Sequence, residues 1–76
     1  MDKFIELKEQ FEEERKMYMF ALKTSKQERK ALVKYLQLKE QDIAEVDEVK
    51  EVDSRIAKYK KVIKVYDRIL RILNSI

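Results

Sequence analysis

The chain contains no glycine and no proline. Average usage would place about five glycines and four prolines in a chain of this length. Tight β-hairpin turns need residues at positive φ, usually supplied by Asn-Gly or Asp-Gly. Neither pair occurs, so turn chemistry argues against a sheet. Cysteine is also missing, which removes disulfides and thiolate sites. Histidine is missing too, and with it the commonest transition-metal ligand and general base. The longest apolar run, residues 17–22, is far short of the roughly 20 residues that span a bilayer. The stretch MDKFIELKEQ lacks the apolar core of a signal peptide. A soluble, cytoplasmic chain without membrane association is the expectation.

What remains is helix-forming: Glu, Lys, Leu, Arg, Gln, Ala and Met fill the sequence. Disorder would suit a chain that is 43% charged, but 45% is apolar and the apolar residues are periodic. The class is all-α. Seventy-six residues make one small domain. A chain of this size buries only about 60% of its unfolded surface and usually adds a staple. With disulfides and histidine-based metal sites excluded, the expected staple is another protein chain.

Periodicity locates two helices. Val49, Val52, Ile56, Tyr59, Ile63, Tyr66, Leu70 and Leu73 alternate steps of three and four, an a/d seam. Val62, Ile69 and Ile76 widen that stripe on one flank, as a multi-helix bundle requires. In the N-terminal half, Phe4, Leu7, Phe11, Tyr18 and Ala21 fit a second seam, with Glu14 as a polar intruder. The frame crosses a polar gap at 23–30 and returns at Leu32 and Tyr35. Extended further, it falls out of phase with the C-terminal seam at Val49. The spacing therefore predicts a helix over about 3–39, a turn over about 40–47 and a helix over about 48–75. Asp42, with Glu45 three residues on, reads as a cap for the second helix. Ser25-Lys26-Gln27-Glu28 matches a capping box, so a break near Thr24–Ser25 would give a three-helix variant.

Charge sets the direction of packing. Residues 1–22 hold six acids and four bases, net −2; residues 23–41 two acids and six bases, net +4. Residues 42–54 hold six acids and one base, net −5; residues 55–76 one acid and seven bases, net +6. Folding back near residue 43 sets each block against one of opposite sign. The reading is an antiparallel helical hairpin with a coiled-coil-like seam. Each helix carries apolar residues beyond that seam, so hairpins are expected to assemble into a helical bundle. Tyr18, Ala21 and Leu22 would face the second helix of the same chain. Met17, Met19 and Phe20 would face a second chain, together with Val62, Ile69 and Ile76.

Catalysis finds little material. Ser25, Ser54 and Ser75 have no histidine to activate them, and no Gly-rich loop cradles a phosphate. Glu12, Glu13 and Glu14 are consecutive, so on a helix they point about 100° apart and cannot converge on one metal. No enzyme and no cofactor are expected. The expected function is a small protein–protein interaction module, an adaptor, inhibitor or regulatory subunit that forms a homo-oligomer, with a dimer favoured. The alternative is a nucleic-acid-binding regulator. Its candidate phosphate contacts are Lys23, Lys26, Lys30 and Lys34 on one stripe and Lys61, Lys64, Arg68 and Arg71 on another.

Overall fold

A computed structural model describes residues 2–76 as an antiparallel helical hairpin. Helix α1 runs Lys3–Leu38 and helix α2 runs Asp47–Asn74, with a short 3-10 turn, Ile43–Glu45, between them. Asp2 starts α1: its carboxylate accepts from the Phe4 N–H at 2.9 Å, which satisfies one of the first orphan donors. The helix continues without a break through Thr24 and Ser25. The capping-box pattern at Ser25 is thus overridden, and the chain has two long helices, not three. Ser25 is 4% exposed and points into the packing instead of capping. A small residue there lets the helices close across the polar gap.

The turn solves a problem that glycine normally solves. Glu40 has φ of 55°, the left-handed conformation. Its N–H bonds to the Gln37 carbonyl and the Gln41 N–H to the Leu36 carbonyl, both at 3.1 Å. This is a Schellman ending with glutamate in the position glycine usually holds. A left-handed non-glycine residue costs about 1–2 kcal/mol, partly offset by the lower unfolded-state entropy of a residue with a Cβ. Glu40→Gly is expected to stabilise the fold by about 0.5–1 kcal/mol, read as a melting temperature a few degrees higher. A lower melting temperature would refute that account of the turn.

Asp42 does cap, but it caps the 3-10 turn, accepting from the Ala44 N–H at 3.1 Å. The residue before α2 is Val46, which offers no side-chain bond. Asp47 and Glu48 in the first turn of α2 complement the helix dipole instead.

Cross-helix contacts define the register. Arg15 meets Asp67, Arg29 meets Asp53, and Tyr66 meets Glu14. Aromatic rings form a ladder between the helices: Phe11 to Tyr66 at 6.1 Å, Tyr66 to Tyr18 at 5.7 Å, and Tyr18 to Tyr59 at 6.0 Å. The tilted rings suit the quadrupole of each partner. The molecule is a rod of 58 × 16 × 14 Å with a radius of gyration of 17.2 Å. A globular chain of this length would have about 11 Å.

The α2 stripe turns inward throughout. Val49, Val52 and Ile63 are buried, and Ile56, Tyr59, Tyr66, Leu70 and Leu73 are half-buried. On α1, Phe4, Phe11, Tyr18, Leu22 and Leu32 are half-buried. Two expected α1 positions are not in the seam. Leu7 is exposed, and Tyr35 is 56% exposed with its ring beside the Lys39 ammonium. Leu36, 5% exposed, takes the inward place. The reason is phase: the helix presents Leu36, Leu22, Arg15 and Lys8 to α2, not Tyr35 and Leu7. Half-buried Lys8 and Arg15 cover the seam with their aliphatic stems.

Candidate interaction surfaces

A hairpin has two broad faces, and heptad spacing assigns residues to them. Glu28 reaches Arg55, and Glu14 accepts from Tyr66. Glu14, Ala21 and Glu28 recur every seven residues, as do Arg55, Val62, Ile69 and Ile76. These two flanks border one face, here the apolar face. Arg15 pairs with Asp67 at 2.6 Å and Arg29 with Asp53 at 2.5 Å. Their heptad relatives border the opposite face.

The apolar face has a groove at its centre, lined by Glu14, Met17, Tyr18, Ala21, Tyr59 and Tyr66. Glu14, the intruder in the seam, is bound on both oxygens. Tyr66 Oη donates to Oε2 at 2.8 Å and Gln10 Nε2 to Oε1 at 3.1 Å. The bond from Tyr66, then that from Gln10, holds the Glu14 carboxyl below its ordinary value of 4.5. The Tyr66 phenol is pushed up to about 12, first by the bond to Glu14 and then by burial. The signs set a window. The Glu14 contribution to stability is present above its ordinary value and lost as pH falls through the depressed one. The Tyr66 contribution is present below 10.0, its ordinary value, and lost as pH rises through about 12. Tyr66→Phe is expected to raise the Glu14 pKa, followed by carboxyl NMR. An unmoved Glu14 titration would mean that Tyr66 does not hold the carboxylate.

Along the outer edges of this face lie further apolar side chains. Phe20 is 72% exposed and Met17 67%. On α2, Val62 and Ile69 are half-buried, and Ile76 is 84% exposed. Val65 and Ile72, not singled out in the sequence, complete a second stripe with them. Val62, Val65, Ile69, Ile72 and Ile76 step three, four, three and four. Met19 is separated from Met17 and Phe20: it lines a cleft on the basic side with Leu22, Lys23, Lys26, Gln27 and Lys30.

That basic side gathers both lysine stripes. Lys26 and Lys30 follow Leu22 and Arg29 around α1, and Lys23 and Lys34 flank them. Lys64 and Arg71 sit one turn from Asp67 on α2, with Lys61 and Arg68 behind. A second cleft there is lined by Lys26, Arg29, Lys30, Val33, Lys34 and Gln37. Among the described residues, the ion pairs use Arg15, Arg29 and Arg55, and none of these lysines. Only Arg29–Asp53 joins the +4 block to the −5 block. Arg15–Asp67 pairs the minority charges of its two blocks, and Glu28–Arg55 pairs a minority acid of the +4 block with a base of the +6 block. Such exposed pairs contribute a few tenths of a kcal/mol each. The Arg55 Nε is buried without a partner.

Among the described residues, no cluster of three or more acids is placed to hold a metal ion, and no helix is long and apolar enough to cross a membrane. No protein-family model, no curated protein and no solved structure matches the chain.

Proposed function

We propose that this chain is a small non-enzymatic protein–protein interaction module, an adaptor, inhibitor or regulatory subunit, that works as a homodimer joined through the apolar face. The observation that carries this reading is the placement of exposed apolar side chains. Among the described residues, eight of the ten exposed large ones lie in the half of the rod that holds the chain ends, and Met17, Phe20, Val65, Ile72 and Ile76 among them edge the apolar face, while Met19 lies on the basic side. Contiguous exposed apolar surface of that kind marks an interaction site. The area agrees: the chain exposes 6353 Å², whereas a compact monomer of its mass exposes about 5,000 Å². The excess is larger than the roughly 800 Å² that a standard interface removes from each partner.

Light scattering behind a sizing column, from low to high micromolar chain, tests the reading. The expected mass is twice the 9.3 kDa chain. A monodisperse monomer at every concentration would overturn self-association.

A second reading is favoured by one observation: both lysine stripes border the same side, free of ion pairs among the described residues. In this reading the basic side binds the phosphates of a nucleic acid. Four phosphate contacts would give a log-log salt slope of about −4 on duplex DNA. No binding at about 50 mM salt would dismiss it.

A further inference from the structure

Resting on the self-association reading, we infer that the second copy lies parallel to the first, turn beside turn, with α1 of each chain against α2 of the other. The two-fold axis then runs along the rod, and every neighbouring pair of helices in the four-helix bundle is antiparallel. Face-to-face two-fold dimers of a hairpin come in two kinds. The axis runs either along the rod or across it. An axis across the rod sets α1 on α1 and α2 on α2.

Three observations separate them. The first is apolar matching. The internal register puts Arg15 beside Asp67 and Arg29 beside Asp53. At that register Phe20 is level with Val62 and Met17 with Val65. A parallel partner repeats these levels, so Phe20 and Met17 meet the partner's Val62 and the partner's Val65. A crosswise axis through the middle of the rod instead lays Val62–Ile76 against the charged start of α2, Glu48 to Lys58.

The second observation is charge. Sliding a crosswise dimer until its apolar halves overlap sets residues 55–76, net +6, against themselves. The parallel arrangement sets that block against the net −2 block of α1, and the +4 block against the −5 block. Opposite charges fix register and direction in this way. The third observation is area. A face of 58 × 16 Å offers a footprint of about 900 Å² per copy, near the roughly 800 Å² of a standard interface. The slid dimer uses about half of that and falls below the usual size of a stable interface. Unlike the slid dimer, the parallel dimer also covers Tyr35 and Leu38 near the turn, which are 56% and 77% exposed.

The absence of cysteine makes site-specific spin labelling direct. Glu45→Cys, in the exposed 3-10 turn, is labelled and measured by pulsed dipolar spectroscopy. Gln37→Cys, exposed in the last turn of α1, is a second variant should the first disturb the turn. Neighbouring helix axes lie about 8–10 Å apart, so the expected label separation at either site is below about 35 Å. Turn labels separated by roughly the 58 Å length of the rod or more, in a chain of dimeric mass, would overturn the parallel arrangement and leave self-association standing. No dipolar distance together with a monomeric mass would overturn both.

Discussion

A chain carrying Met17→Glu and Phe20→Glu is expected to run as a monomer at concentrations where the unaltered chain is dimeric. Both side chains are mostly exposed in the hairpin, so neither change removes internal packing. In the dimer each would be covered. Burying a methionine or phenylalanine contributes about 1.5–3 kcal/mol, and a two-fold axis counts every loss twice. Even partial burial therefore puts at least about 4 kcal/mol at stake, roughly a thousandfold in dissociation constant. Four new carboxylates in an apolar interface raise the cost further. Mass by light scattering and helicity by circular dichroism are measured together. An unchanged mass would show that this edge is not the interface. A Met19→Glu chain is the comparison: Met19 lies over the basic-side cleft, and its change should leave the mass unaltered.

Tyr18→Ala is expected to be the most damaging single truncation of the fold. The ring touches Tyr59 and Tyr66 on α2 and lies half-buried at the middle of the ladder. Truncating a core aromatic costs about 3–5 kcal/mol, and partial exposure places this site at the lower end. That is a large share of the total for so small a domain. Among the described residues, only Leu36, Val49, Val52 and Ile63 are buried apolar residues. The melting temperature should fall by about 10 °C or more. Tyr18→Phe keeps the rings in contact and should retain most of the stability. Because dimerisation raises the apparent stability of a chain, the variants are compared at one concentration. A shift of less than about 2 °C for Tyr18→Ala would mean the ladder does not hold the helices together.

The helical hairpin could be read from the residues because absent glycine and proline left no other class, and because α2 repeats its apolar steps without interruption. The α1 seam was harder. Its inward places at Lys8 and Arg15 are charged, so hydrophobicity alone follows Leu7 and Tyr35 to the wrong side. Long stems that pack like apolar groups carry no mark in a pattern of polar and apolar letters. Glu14 read as an intruder because its donors, Gln10 and Tyr66, come from two helices. Glu40 gave no sign at all: a left-handed residue is expected to be glycine or asparagine, and neither stands there. Val65 and Ile72 were visible in the spacing, had the stripe beside the seam been followed past Val62. The separation of Met19 from Met17 and Phe20 needed the direction of α1, which depends on which residues α2 contacts.

Most of the buried residues sit toward the turn and most of the exposed apolar ones toward the chain ends. Ser25, Leu36, Val49 and Val52 are all toward the turn, while Ile63 alone among the buried residues lies in the half with the chain ends. In a single chain, backbone amides near the turn would open only with the whole fold. Those toward residues 5–15 and 68–74 would open by local fraying and exchange their hydrogens faster. Association through the apolar face would then do more than join two finished hairpins. It would zip the loose ends of each, so that recognition and the completion of folding become one event.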